Sequence, residues 1–278
     1  MAYEDLHSII SKRKKSSHKG ENGTVLVIGG SEEYTGSVAL AGIAALRSGA
    51  DIVTIAAPKK VAWAINALSP DLITHKVNCE HFTLKNAKEI ISLAKRFDVI
   101  LIGNGLGLES KKFVRKIVKK IKKQFVIDAD GIKSISIKDA NNSIITPHSK
   151  ELRILLKNSG CERILNAKDH KVIIGNLQKI AGNNVLLIKG RIDIILSKDR
   201  YILNRTGNEA MTKAGTGDVL AGLCAGFLAQ SRDLVKSASA AAWINGHIGD
   251  ILAKKKHGPF FLASDMVLEI EKIKRLIN

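Results

Sequence analysis

The stretch MTKAGTGDVLAG, residues 211–222, places Gly215, Thr216 and Gly217 directly before an acid, Asp218, at the entrance to an apolar helical run. A turn needs fewer glycines than this. The surplus lets backbone N–H groups converge on an anion, and the positive end of a helix dipole adds to the attraction. AGTGD therefore reads as a seat for negatively charged oxygen. A carboxylate in the same turn would repel phosphate, unless it accepts a proton from an attacking hydroxyl while the amides stabilise charge on a migrating phosphoryl group. A second reading stands beside that one: Asp218 as an N-cap or first-turn acid whose only task is to favour the helix dipole.

Other phosphate and acyl chemistry is poorly represented. There is no G-x-x-x-x-G-K-[ST] loop, GNGLGL at 103–108 misses the third glycine of G-x-G-x-x-G, and no G-x-S-x-G elbow occurs. These absences disfavour a P-loop nucleotidase, a dinucleotide Rossmann site and an α/β-hydrolase. Cys79, Cys161 and Cys224 lie far apart with no CxxC pair, so neither a disulfide framework nor a thiolate zinc site is indicated. His75, Cys79 and His81 are close enough in sequence to touch a metal ion, but a surface segment carrying them by chance is the preferred reading.

The elements that must hold the glycine-rich turn follow from periodicity. GTVLVIGG (23–30), a β-branched run closing on glycines, SVALAGIAALRSGA (37–50), a small-residue helical run, and DIVTIAAP (51–58) form a βαβ unit, which implies a parallel sheet. FDVILIGNG (97–105), QFVIDADG (124–131), SIITPH (143–148) and NVLLIKG (184–190) read as further strands, and IDIILSKDRYILN (192–204) as a hairpin around Lys198 and Asp199. Beyond Thr216 the chain reads as helices at 217–229, 233–254 and 265–276. In such folds ligands bind at the carboxyl ends of strands, in loops that lead into helices, and GGSEEYTGS, GNGLG, DADG, TPHSKE and KGRID all sit at such ends. Their common position points to one site.

The 278 residues, 45% hydrophobic and 25% charged, have the composition of a globular protein, and one domain over 1–278 is expected. No segment reaches the roughly 18 uninterrupted apolar residues of a membrane span. The N-terminus, MAYEDLHSIISKRKKSSHKG, puts acids before its basic cluster, the reverse of a secretory signal, so a cytoplasmic protein without a membrane partner is expected. Lysine and arginine number 44 against 26 acids, giving a net charge of +18, a field that attracts nucleic acid, anionic lipid or phosphorylated metabolites. Much of it lies in KKFVRKIVKKIKK (111–123), where Phe113, Val114, Ile117, Val118 and Ile121 make an apolar stripe and the lysines a solvated outer face. Aromatic residues are 4% of the chain and only Phe113 interrupts this run, so nucleic acid is the weakest of the anionic partners.

Taken together, NRTGNEAMTKAGTGDVLAG (204–222), SSHKG (16–20), residues 23–50, DADG (128–131), ITPHSKEL (145–152) and LLIKG (186–190) resemble the ADP/ATP-dependent NAD(P)H-hydrate dehydratases, in order and spacing along nearly the whole chain. GTGD alone would indicate only the wider ribokinase-like superfamily. The resemblance implies an α/β, ribokinase-like fold: a central, mostly parallel sheet with helices on both faces. It implies an ADP-dependent lyase, with ATP as the other donor, that phosphorylates the ring hydroxyl of the S epimer of NADHX or NADPHX and eliminates phosphate to regenerate the reduced cofactor. Asp218 would be the base, and Gly215, Thr216 and Gly217 the anion hole. Lys189, Gly190, Arg191, Ile192 and Asp193, with Gly217, would contact the nucleotide. Ser37, Gly105 and His148, with Asp218, would face the hydrated dinucleotide, although a histidine after proline also reads as a plain turn residue. Mg²⁺ is expected with the nucleotide, without assigned ligands, and a homotetramer is the family's state. Many relatives carry an N-terminal epimerase domain, but only about 20 residues precede the matching region, so a separate epimerase is expected.

Three positions depart from the family's usual pattern: Ala214 where Gly is common, Ser149-Lys150 where Pro-Gly is common, and GNGLG where GPG is common. The Ala214 methyl is tolerable only at negative φ. A small-molecule kinase of the same superfamily, such as a hydroxymethylpyrimidine or hydroxyethylthiazole kinase, is the alternative that GTGD leaves open, though the HKG and TPH stretches suit it less well.

Overall fold

The computed structural model describes Ile9 and residues 15–272. Seven strands run parallel: Thr24–Ile28 (β1), Ile52–Pro58 (β2), Ile73–Val77 (β3), Val99–Ile102 (β4), Gln124–Ile127 (β5), Ser143–Ile145 (β6) and Val185–Ile188 (β7). Asp193–Leu196 (β8) and Tyr201–Asn204 (β9) extend them as an antiparallel hairpin. The strands form one sheet in the order β3-β2-β1-β4-β5-β6-β7-β8-β9. Runs such as TVLVI and VILI are buried throughout, as strands covered on both faces must be.

Helices cover both faces. Val25 and Val27 of β1 point to one core with Thr35–Arg47 (α1), Lys59–Leu68 (α2), Thr216–Ser231 (α8), Leu234–Lys255 (α9) and Ala263–Glu269 (α10). Leu26 and Ile28 point to the other, with Ala87–Ala94 (α3), Lys111–Lys120 (α4), Asp130–Ser134 (α5), Ser149–Asn158 (α6) and His170–Ala181 (α7). This is the expected α/β architecture. The stretch 59–96, to which periodicity assigns no element, supplies α2, the edge strand β3 and α3. The expected helix at 265–276 is α10 followed by a tight turn at Ile270–Lys272, and residues 273–276 lie outside the described ones.

The basic segment folds as its stripe predicts. Phe113, Val114, Ile117 and Val118 are buried, while Arg115 and Lys119 both hold the buried Asp139 carboxylate, at 2.8 and 3.0 Å. His75 pairs with Glu89 at 2.7 Å instead of turning towards Cys79 and His81, and burial, helped by Glu89, pushes the Cys79 thiol up to about 11. Among the described residues no three His, Cys, Asp or Glu side chains converge as a metal-binding group, and no helix is long and apolar enough to cross a membrane.

Helix α8 is buried from Val219 to Ala229 and lies against α1 through glycine. A side chain at Gly226 would meet the Ser48 hydroxyl, and its Cβ would lie 2.7 Å from the Ala45 carbonyl oxygen. Gly226→Val is expected to cost about 1–3 kcal/mol by forcing α1 and α8 apart. Urea unfolding measures this, and an unchanged midpoint would show that the helix pair yields without strain.

Candidate active site

Helix α8 starts at Thr216, and its N-cap, Gly215, has φ +94° in the left-handed region. Only glycine suits this position: a Cβ would also lie 2.6 Å from the Ala263 methyl and 2.9 Å from Leu40 Cδ1. No side chain caps this end, and Val219 N–H, donating to the Gly215 carbonyl at 3.0 Å, opens the helical hydrogen-bond ladder. The amides of Thr216, Gly217 and Asp218 thus have no acceptor within the helix, which is the condition for receiving an anion. The Thr216 hydroxyl is not part of that seat. It donates to the carbonyls of Met211 and Lys213, at 3.0 and 3.1 Å, and fastens the turn.

Asp218 is not an N-cap. It lies within the first turn, partly buried, and its Oδ1 accepts from the Ser37 hydroxyl at 2.6 Å and from Asn104 Nδ2 at 2.7 Å. Among the described residues nothing hydrogen-bonds its Oδ2. Burial, with Asp128 adding repulsion, pushes its carboxyl up to about 6, against the opposing pull of the Ser37 and Asn104 hydrogen bonds and of Lys189. An acid in that range is a competent base near neutral pH.

Lys189, just past β7, donates to Asp128 Oδ1 at 3.0 Å and lies 3.8 Å from Glu151 Oε2. Burial alone would lower its ammonium pKa, but the two carboxylates more than reverse this and raise it, so the lysine is charged. Its Nζ would lie 3.7 Å from a Cβ at Gly217, directly beside the anion turn. Asp128 is buried at the end of β5, where the next residue, Ala129, adopts φ +48°, and it also accepts from Thr146 Oγ1 at 2.7 Å.

His148 is the N-cap of α6. Its Nδ1 accepts the amides of Lys150 and Glu151, at 3.1 and 3.4 Å, and its own N–H donates to Glu151 Oε2 at 3.0 Å, a reciprocal cap. Since Nδ1 is an acceptor, a ring proton lies on Nε2, 3.5 Å from Glu151 Oε1, on a side chain about half exposed. A parallel bridge between His148 and Lys189 sets the two side by side. Ser149 and Lys150 leave this cap intact, and Ala214 is absent from the positive-φ residues, so the helix entrance accepts its methyl.

The remaining predicted residues divide. Gly105, at φ +62°, is buried, and a Cβ there would lie 2.6 Å from Tyr34 Cβ and 3.4 Å from Ser37 Cβ; its close approach brings the β4 loop against the start of α1. Gly190, Arg191 and Ile192 form the turn between β7 and β8, not a loop into a helix, with Gly190 and Arg191 exposed. Asp193 closes that turn by accepting from Gly190 N–H at 3.0 Å and Asn204 Nδ2 at 3.1 Å, and burial raises its pKa. Sequence reasoning singled out neither Asn104 nor Asp128 nor Glu151, although GNGLG, DADG and TPHSKE contain them. Position at a strand's carboxyl end was the one available signal.

The profile of the NAD(P)H-hydrate dehydratase family matches residues 25–272. The chain is 42% identical over 268 residues to a bifunctional NAD(P)H-hydrate repair enzyme of Methanothermobacter thermautotrophicus, which covers 93% of this chain and 51% of that protein. It is 35% identical over 269 residues to an ADP-dependent (S)-NAD(P)H-hydrate dehydratase of Cenarchaeum symbiosum, covering 95% of this chain and 92% of the relative. The crystal structure of a Bacillus subtilis ADP/ATP-dependent NAD(P)H-hydrate dehydratase, co-crystallised with ATP and Mg²⁺, superposes with a TM-score of 0.79 at 25% identity over 99% of this chain and 97% of that one. Ribokinase from Thermotoga maritima shares the fold alone, with a TM-score of 0.54 at 12% identity over 90% of this chain and 99% of that one. The chain spans about half the length of the bifunctional relative.

Proposed function

Because the chain belongs to the NAD(P)H-hydrate dehydratase family, we propose that it regenerates NADH and NADPH from their S-hydrated forms with ADP, or ATP, as phosphoryl donor. The observation that carries this reading is the pairing of a partly buried carboxylate of raised basicity, Asp218, with an uncapped helix entrance in the same turn. Asp218 takes the proton of the ring hydroxyl, whose oxygen then bonds to the terminal phosphorus of the nucleotide as the bond to its bridging oxygen breaks. The Gly215–Asp218 amides and the Lys189 ammonium stabilise the charge on the transferred group. The ring nitrogen's electron pair then expels phosphate, and loss of a ring proton restores the dihydropyridine. His148 Nε2–H is offered as a donor to the dinucleotide and Ser37 Oγ, whose proton goes to Asp218, as an acceptor, with the exposed Gly190 and Arg191 and the half-buried Ile192 as the lip over the nucleotide.

With no cluster of acids among the described residues to cage an ion, Mg²⁺ arriving on the nucleotide's phosphates is the mode that fits, since it keeps several waters and takes oxygens from phosphate. When bound it neutralises phosphate charge. The net charge of +18 suits two polyanionic substrates. A single domain, a tetramer and a cytoplasmic setting belong to the same reading. The kinase alternative is less favoured, because relatives at 35% and 42% identity carry hydrate-dehydratase and hydrate-repair names.

Incubation with NADHX, Mg²⁺ and either nucleotide, followed at the absorbance of reduced nicotinamide, tests the proposal. NADH recovery is expected, and none with ADP or ATP would sink it. With the Asp218 carboxyl at about 6, kcat/KM is expected to fall about tenfold per pH unit below that value. A flat profile down to pH 4.5 would remove Asp218 as the base.

A further inference from the structure

Asn104 is wholly buried between two carboxylates, on a backbone bent by Gly103 at φ +128° and Gly105 at φ +62°. Its single side-chain nitrogen donates in two directions, to Asp218 Oδ1 at 2.7 Å and to Asp128 Oδ2 at 3.0 Å. The oxygen of the same amide is buried with no hydrogen-bond partner. A buried orphan of this kind is uncommon and destabilising. Turning the amide over gives no relief, because its oxygen would then face two acceptors. The arrangement therefore tolerates an unpaired oxygen to keep an N–H₂ group between the two acids.

Two carboxylates that close together, with nothing between them, hold one proton in common and neither ionises freely. Here the two acids share one donor, Asn104, and each has further donors of its own. Asp128 is served by Lys189, Thr146 and Asn104, and Asp218 by Ser37 and Asn104. Glu151 Oε2 lies 3.8 Å from Lys189 Nζ, and the lysine is the cation of the group. On the reading of Asp218 as the base, we infer that Asn104 is a positioning residue: its amide separates Asp218 from Asp128 as proton acceptors and pins Oδ1, leaving Oδ2 to take the substrate proton.

The test follows the side-chain carboxyl carbons of the full-length protein by ¹³C NMR across pH 4–9, with Asp218 assigned by comparison with Asp218→Asn. In the unmodified protein Asp218 is expected to titrate in one step; a two-step curve at its carboxyl carbon would overturn the inference. In Asn104→Leu, which keeps the volume and removes both donors, and in Asn104→Ala, the Asp218 midpoint is expected to rise by about one unit. The acid limb of kcat/KM should move with it, while KM for the nucleotide stays within about twofold. A folded variant whose midpoint moves by less than about 0.3 units would equally overturn it. The titration needs no turnover, so lack of NADH recovery would remove the dehydratase reading while the carbon spectra still decide the role of Asn104.

Discussion

Asp218→Asn is expected to lower turnover by roughly two to four orders of magnitude, with nucleotide binding largely kept. The side-chain oxygen of asparagine still accepts from Ser37 and Asn104, so the geometry at Oδ1 survives while the group that removes the hydroxyl proton is lost. The same substitution is expected to stabilise the fold. Burial holds the native carboxyl at about 6, against 3.8 for an unperturbed aspartate, so the folded state binds its proton more tightly than the unfolded state. The ionised carboxylate therefore destabilises the folded protein, with a penalty that is absent below the unfolded value, grows between about pH 4 and 6, and is complete above. Asparagine removes it, a gain of up to about 3 kcal/mol at pH 8 that vanishes at pH 4. Steady-state kinetics and urea unfolding at the two pH values measure both effects. Near-normal turnover would refute the catalytic role, and a loss of stability at pH 8 would show that burial is not what raises this carboxyl.

Lys189→Met is expected to be the most destabilising single change in the site. It leaves Asp128 and Glu151, both buried, without the cation between them, and breaking a buried pair from one side costs about 3–5 kcal/mol. The lysine's raised pKa means that its contribution is fully present below the ordinary value of 10.5 and is lost only as pH climbs past the folded value. The deficit should accordingly hold through the neutral range. Nucleotide binding should fall with stability, because the ammonium lies beside Gly217 of the anion turn. Urea unfolding and calorimetric titration with ADP separate the two losses. A variant as stable as the parent would show that Asp128 and Glu151 find compensation elsewhere, and unchanged ADP affinity would place the phosphates away from this lysine.

Much of the frame was legible from local pattern. β-Branched runs closing on glycine gave the strands around β1 and β4, the apolar stripe gave α4, and the surplus of glycine before Asp218 gave an anion-receiving helix entrance. These features have short periods, and a few neighbouring residues suffice to express them. The edge strand β3 escaped because its ITHKV sequence is half exposed and lacks an apolar alternation. The side chains of Thr216 and Asp193 bind backbone and neighbouring polar groups, a matter of rotamer and reach that motif spacing does not encode.

What residue order alone determined, then, is which loops end at the carboxyl edge of a sheet and which of them could meet an anion. Tertiary structure decided which side chains meet. Ser37 reaches Asp218 across 181 positions, Asn104 reaches it across 114, and Lys189 reaches Asp128 across 61. Those separations close because parallel pairing sets β1, β4, β5, β6 and β7 side by side, which lines up the loops that follow them. The pKa of Asp218 belongs to the same level: it depends on burial and on Asp128, and neither exists until the sheet has formed.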